Sequence, residues 1–324
     1  MPKISVIVPM FNVEQYIERC ATSLLKQTLD DIEYIFISDK SPDNSVEVLK
    51  KVLKKFPAKA GSVRILERPT NGGQAAVRRD GILLATGDFV IHCDADDWVD
   101  TNLYEKMYAE AIRTEADVVI CPIRDEYADY GVTRPLIKLY PTGKEIIEHW
   151  YNEPICMFCW NKIVRRSLLV DNNILPFEGI NMWEDNGLMT RVVYYADKIS
   201  QIDDAVYHYN RANLTAMTRG YGRKQVDQML KCAYLLDEFF KTHKDYDRFQ
   251  KTALAFKYLA KLNLVTTSFG QLKEYYTLYP ESNVIIGYLS KRAFSKKGNL
   301  RFWMVKHHMA WLFVLLFKIK SIVI

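Results

Sequence analysis

Hydrophobic positions in the first part of the chain fall into short solid runs separated by stretches of helical spacing. Ile4–Val8, Ile32–Ile37, Val63–Leu66, Phe89–Ile91 and Val118–Cys121 are largely apolar and too short for helices, so each reads as a buried strand. Pro9 closes the first of them. Between the strands, Val13, Ile17, Cys20, Ala21, Leu24 and Leu25 recur at helical spacing behind a capping-box-like pair, Asn12 and Gln15. Pro42 and Asp43 open a second helix in which Val46, Leu49, Val52 and Leu53 share a face. Residues 74–85 and 101–114 read as two more. This alternation predicts an α/β domain, Rossmann-like, with a mostly parallel sheet and helices on both faces.

The alternation stops near Gly222. Val226, Met229, Leu230, Tyr234, Leu235 and Phe239 predict one long amphipathic helix, and Leu254, Tyr258, Leu259 and Leu262 a second. The expected division is a sheet domain over residues 1–220, a helical subdomain over 221–285 and a tail over 286–324. In the tail an unbroken apolar run extends only from Met309 to Phe317, too short for a bilayer that needs about twenty residues. Its aromatics beside Lys296, Lys297, Arg301, Lys306, Lys318 and Lys320 suit an interfacial helix on an anionic membrane surface, or a helix docked on protein.

Charge supports that partition. The net charge of +5 comes from 44 Lys and Arg against 39 Asp and Glu, but Ser282–Ile324 holds eight of the basic residues and no acid. The remainder is slightly acidic, so the basic balance belongs to the tail and gives no ground for nucleic-acid binding. Cysteines at 20, 93, 121, 156, 159 and 232 are scattered, and Cys156/Cys159 is a lone C-x-x-C without a second pair. Buried thiols of a reducing compartment are the expectation. MPKISVIVPMFN reads as a strand rather than a cleavable signal, which points to the cytosol.

The chemistry gathers where strands end. Asp94-Ala95-Asp96-Asp97 places three carboxylates in four residues directly behind the Phe89–Ile91 run. On extended chain, residues two apart share a face, so Asp94 and Asp96 point together and Asp97 away. Converging carboxylates repel unless a cation lies between them, and hard oxygen ligands suit Mg²⁺ or Mn²⁺ completed by substrate phosphates. The competing reading is an acidic turn with Asp97 or Asp100 capping the next helix. Asp39 and the Asn71-Gly72-Gly73 turn also fall at strand carboxyl ends, where parallel sheets bind ligands. The first turn lacks G-x-G-x-x-G, and neither a P-loop nor a G-x-S-x-G elbow occurs, excluding three common α/β classes.

These motifs in this order resemble the family 2 glycosyltransferases. Val8-Pro9-Met10-Phe11-Asn12 is similar to their V-P-x-[YF]-N opening, and Ser38-Asp39-Lys40-Ser41-Pro42-Asp43 to D-D-x-S-x-D with Ser38 for the first Asp. Asn71–Gly81 resembles N-x-G-x-x-x-A-R-N-x-G, matching at Arg78 and departing at Val77 and Arg79. Asp94–Asp97 matches D-x-D-D, Trp160-Asn161-Lys162 a bacterial W-N-K, and Glu184-Asp185 the E-D pair. The resemblance implies a GT-A fold enzyme that transfers a sugar, with inversion, from a nucleotide-diphospho-sugar, commonly a UDP-sugar. The acceptor would be a saccharide or lipid-linked glycan of surface polysaccharide synthesis, met on the inner membrane face.

It implies donor contacts from Pro9, Asn12, Asp39, Asn71, Arg78, Asp94, Ala95 and Asp96, with Asp96 on the metal and Asp39 on the base. Arg78 would approach base or phosphate, or else be a solvated helix residue. Asp185, ahead of a helix marked by Leu188, Val192 and Tyr195, would be the catalytic base, with Glu184, Trp183 and Trp160 on the acceptor side. Acids at a helix start are also favoured by capping and the macrodipole. His208, Arg211 and Thr215 or Thr218 fall where similar enzymes keep a Y-x-Y-R segment with a hydroxyl residue beyond it. Two rival readings are a non-catalytic nucleotide-sugar or glycan-binding protein of this fold, which the altered Ser38, Val77 and Arg79 would allow, and a sugar nucleotidyltransferase, which would need a glycine-rich loop where PMFNVEQY stands.

Overall fold

The computed structural model describes residues 2–153, 155–213, 222–265, 268–289 and 296–320. Its contacts divide the chain into two compact units, one formed by Met1–Lys144 with Met157–Arg219, the other by Glu145–Cys156 with Gly220–Ile324.

The first unit is built on a seven-stranded sheet. In chain order its strands and their neighbours are β1 (Ile4–Met10), β2 (Ile32–Ser38), β3 (Val63–Glu67), β4 (Phe89–His92), β5 (Trp98–Val99), β6 (Val118–Ile120), β7 (Ile123–Glu126), β8 (Gly131–Thr133), β9 (Lys162–Arg165), β10 (Ile199–Gln201) and β11 (Tyr207–Asn210). The main sheet runs β10-β6-β9-β4-β1-β2-β3, and β5-β11-β7-β8 form a second, smaller sheet. The expected parallel core is present: β1 pairs in parallel with β2 and β4, β2 with β3, and β6 with β10. One strand breaks the pattern. β9 is antiparallel to both β4 and β6, inserted between them by a segment whose short K-I-V-R run gives no strand signal of its own.

Central strands are buried on both faces, as continuous apolar runs require; every residue of β2 is buried, and Ile4, Val6, Ile7 and Val8 of β1 are 0% exposed. Each such side chain contributes about 1.5–3 kcal/mol relative to exposure. The helices of this unit are α1 (Ile17–Leu25), α2 (Ser45–Leu53), α3 (Gln74–Leu84), α4 (Leu103–Thr114), α6 (Arg166–Asp171) and α7 (Glu184–Tyr195), while most of α5 (Gly143–His149) belongs to the second unit. α3 lies close on β1 because Gly81 has no side chain; a Cβ there would come within 2.3 Å of Ile7.

Two expected helix starts are corrected. α1 begins at Ile17 without a side-chain cap, and Asn12, at φ 54°, instead donates its backbone N–H to Ser41 Oγ at 2.8 Å. α2 begins at Ser45, while Asp43 accepts from the Glu14 amide at 2.9 Å and the Ser45 amide at 3.2 Å. Both adjustments tie the loops after β1 and β2 to each other.

The second unit is helical: α8 (Arg223–Lys241), α9 (Tyr246–Leu262), α10 (Phe269–Thr277), α11 (Lys296–Lys306) and α12 (Ala310–Lys320). It also claims Glu145–Cys156, which chain order alone assigns to the sheet domain. Trp150 stacks on Phe256 at 4.0 Å and Thr252 Oγ1 donates to the Ile147 carbonyl at 2.6 Å. Two buried lysines here are paired: Lys257 reaches Asp237 at 2.7 Å, and Lys261 donates to the carbonyls of Leu278 and Tyr279.

Candidate active site

The strand order reverses at β1, whose neighbours β2 and β4 lead to opposite sides of the sheet. Ligand crevices in such sheets lie beyond the strand carboxyl ends at this reversal. Pro9 is placed there on β1 opposite Ile37 of β2, Asp39 follows β2, and Asp94–Asp97 follow β4.

Asp39 organises the first loop. Its Oδ1 accepts from the Gly72 amide at 2.9 Å and Arg68 Nη1 at 3.2 Å, its Oδ2 from the Gly73 amide at 2.7 Å, and its carbonyl from Asn71 Nδ2 at 3.2 Å. Gly73 caps α3 at φ 81°, a left-handed backbone that favours glycine. The orphan N–H of Ala75 donates to Asn181 Oδ1 at 2.9 Å. Asn181 therefore brings the loop before α7 onto the first turn of α3. Among the departures from the family pattern, Val77 is a core residue, Arg79 is exposed, and buried Ser38 accepts from the Ser41 amide at 3.2 Å.

Each carboxylate behind β4 has a different task. Asp94 Oδ1 accepts from Arg78 Nη2 at 2.7 Å and Gln74 Nε2 at 3.3 Å. Asp96 Oδ2 accepts from Asn213 Nδ2 at 2.7 Å, and its carbonyl from Arg19 Nη2 and Asn210 Nδ2 at 3.2 and 3.1 Å. Asp97 is 1% exposed and ties the turn to β11: its Oδ2 accepts from the Tyr207 hydroxyl at 2.8 Å and its Oδ1 from the Asn210 amide at 2.7 Å. Tyr207 Oη in turn accepts from the Asp94 amide at 3.0 Å. Ala95 is buried between these turns. Neither acid caps the next helix, which corrects the acidic-turn reading: α4 has Asn102 at its N-cap, and Asp100 accepts from the Val206 amide at 2.8 Å.

Arg78 joins the two halves of the site. It is 1% exposed, which corrects the solvated-helix alternative, and lies 2.7 Å from Asp94 and 3.4 Å from Glu184. Its Nε and Nη1 are buried without a hydrogen-bond acceptor. Glu184 and Asp185 open α7 behind Trp183, whose φ of 68° is left-handed. Asp185 Oδ1 accepts from the backbone and side chain of Asn186 at 2.7 and 3.0 Å.

Electrostatics follow from this crowding. Burial, then the charge of Asp185, pushes Glu184 up to about 8, and burial raises Asp185 against the Asn186 hydrogen bonds and Arg78. Burial and the neighbouring Asp94 raise Asp96, and burial with Asp96 and Asp94 raises Asp97. Arg78 stays charged, because the surrounding acidic groups outweigh its own burial.

A divalent ion fits this donor set. Among the described residues no three His, Cys, Asp or Glu side chains converge as a metal-ligand group. Mg²⁺ or Mn²⁺ in phosphate chemistry needs only one or two carboxylates with substrate oxygens, and burial and then the neighbouring Asp94 raise the cost of ionising Asp96 with no cation beside it.

Other candidates are held elsewhere. Trp160 is 5% exposed among the rings of Phe158, Tyr207 and Tyr209, with centroids at 4.7, 4.5 and 5.3 Å, so its faces are covered by protein. His208 lies between Glu126 and Asp100 at 2.7 and 3.0 Å and stacks on Trp98; Arg211 binds Asp125 at 2.7 Å. Thr215 and Thr218 lie outside the described residues. Unexpected were Asn181, Gln74, Arg68 and Asn213, and the anchoring roles of Tyr207 and Asn210, which the aromatic Tyr207–Arg211 segment marks only as a strand.

Comparison with known sequences decides the family. The profile of Glycosyl transferase family 2 matches residues 5–171, more than half of the chain. This chain belongs to that family. It is a glycosyltransferase with a GT-A fold. It is 29% identical over 249 residues to the uncharacterized glycosyltransferase EpsJ of Bacillus subtilis, covering 75% of this chain and 71% of EpsJ. Among solved structures it is similar to S. aureus TarS 1–349 in complex with UDP-GlcNAc, with TM-score 0.67 and 20% identity over 98% of this chain and 91% of the other. It is also similar to the mannosyltransferase PcManGT of Pyrobaculum calidifontis in complex with GDP-Man and Mn²⁺, with TM-score 0.54 and 15% identity over 99% and 86% of the two chains. At these identities the structures speak for the fold alone. Glu184 and Asp185 lie beyond the stretch matched by the family profile, so their placement rests on the geometry.

Proposed function

We propose that this glycosyltransferase transfers a sugar with inversion from a UDP-sugar to a saccharide or lipid-linked glycan of surface polysaccharide synthesis, at the cytoplasmic membrane face. The observation that carries the reading is Arg78, in contact with both Asp94 and Glu184. It ties the strand-end acids of the donor side to the helix-start acids of the acceptor side in one buried cluster. The TarS complex with UDP-GlcNAc supports the choice of nucleotide.

In this reading Pro9, Asn12, Asp39 and Asn71 frame the base, Asp94 lies beside the ribose, and Ala95 and Asp96 face the diphosphate. A divalent ion held by Asp96 and the diphosphate would offset the charge that develops on the leaving group. Asp185 takes the proton of the attacking acceptor hydroxyl. Its raised proton affinity suits a base more than an ordinary exposed carboxylate would. Glu184 stays protonated over much of the neutral range and limits repulsion beside it. Trp183 and Glu184 border the acceptor.

Calorimetric titration with UDP, GDP and TDP, with and without Mn²⁺, tests the donor half on the wild type and Asp96→Ala. The expected result is Mn²⁺-dependent binding of UDP that Asp96→Ala abolishes. Binding indifferent to both metal and Asp96 overturns the metal-dependent reading.

A further inference from the structure

Helices α11 and α12 are apolar on two sides. Their inner residues are buried: Phe302, Met304 and Val305 on the first, Ala310, Phe313 and Val314 on the second. A turn with His308 at φ 60° joins them, closed by the Met309 amide donating to the Met304 carbonyl at 2.7 Å. Facing outward are Leu300 and Trp303, three apart, and Trp311 and Leu315, four apart, with Leu316 beside them. The two tryptophans are 51% and 52% exposed. A helix that is apolar all round is normally covered on all sides.

We infer that this hairpin docks on an anionic lipid bilayer, inserting Trp303, Trp311, Leu315 and Leu316 at the headgroup boundary. This rests on, and deepens, the membrane-facing part of the reading above.

Charge selects the occupant. Ser282–Ile324 carries only Lys and Arg among its charged residues, and Lys306, His307 and His308 are exposed at the turn. A second copy meeting this face through the same stretch would set like charges against each other. An anionic leaflet would attract them, while paired tryptophans match the wet and dry halves of the interface. Among the described residues no helix is long and apolar enough to cross a membrane, so the hairpin would lie in the interface plane.

The full chain is mixed with vesicles of phosphatidylcholine alone or of phosphatidylcholine with phosphatidylglycerol, sedimented and quantified. Expected is binding to the mixed vesicles at least about tenfold stronger than to the neutral ones, weakened at high salt. The pair Trp303→Ala/Trp311→Ala should lose about tenfold or more of it, and Val284→Ala, an exposed control in the same unit, none. UDP titration of each variant shows whether the donor site is intact, so failure of docking and failure of the transferase reading are read separately. A wild type that ignores both vesicles overturns the inference, as does a double variant that binds like the wild type. So does an oligomer that the double variant dissociates without any lipid binding, since the face then belongs to a second copy.

Discussion

Replacing Glu184 by Gln separates two accounts of the buried cluster. Glu184 has Arg78 Nε at 3.4 Å, a long contact, while Arg78 gives its shorter one to Asp94 at 2.7 Å. Burial and Asp185 place the folded-state pKa of Glu184 at about 8, against 4.5 for the free group. A carboxyl whose folded pKa is raised binds more protons folded than unfolded across that window. The stability it contributes is thus complete below 4.5 and is lost as pH rises toward 8. At about 1.4 kcal/mol per pH unit the whole window bounds the loss at roughly 5 kcal/mol. Sharing of protons with Asp185 lowers the expected effect to about 2 kcal/mol. Gln mimics the protonated acid, so Glu184→Gln should match the wild type near about pH 5 and exceed it by about 2 kcal/mol near about pH 8.5. Urea unfolding of both proteins across that range, followed by tryptophan fluorescence, measures the difference. A variant less stable than the wild type at the alkaline end refutes the reasoning, because the ionised Glu184–Arg78 pair would then be a net stabilising contact.

Tyr207→Phe removes the hydroxyl that donates to Asp97 and accepts from the Asp94 amide, and should cost about 1.5–3 kcal/mol in urea unfolding, with weaker UDP binding. Gly73→Ala places a Cβ within 2.2 Å of Asn181 Nδ2 at a φ of 81°; we expect about 2–3 kcal/mol of lost thermal stability, with only the steric part relieved by adding Asn181→Ala. Asp185→Asn should lower transfer by about 100-fold or more while leaving the calorimetric UDP titration unchanged, and equal losses in both would remove Asp185 from the role of base.

The parallel core was legible because its strands are solid apolar runs between helices of clear period, and both signals are local. β9 was not, since Lys162–Arg165 is a strand only by virtue of lying between β4 and β6. Glu145–Cys156 belongs with the helical unit through Trp150 and Phe256, a pairing across more than a hundred residues that no local pattern carries. In the site, Asp97 is buried apart from Asp94 and Asp96, but not through alternation along extended backbone: the Asp97 amide closes a turn on the Asp94 carbonyl at 3.0 Å, and Tyr207 and Asn210 hold its carboxylate. The capping-box reading failed for Asn12, because a left-handed backbone bonded to Ser41 imitates a helix start in sequence. Asn181 was invisible for a third reason: it caps a helix from another part of the chain.

That long-range cap also explains how an acid-rich cluster can be held in place before any ligand arrives. Asp94, Asp96 and Asp97 follow one strand, and Glu184 and Asp185 open α7 from a loop pinned by Asn181 to the first turn of α3. α3 itself supplies Arg78, so the guanidinium and both sets of acids are positioned through one helix. Left unpaired, buried carboxylates this close would push the elements apart or protonate. Protonation is the outcome burial favours at Glu184 and, in direction, at Asp96, Asp97 and Asp185. A cation arriving with a diphosphate would meet carboxylates whose orientation is already fixed by Asn213, Gln74 and Arg78, so little ordering would remain to be done on binding.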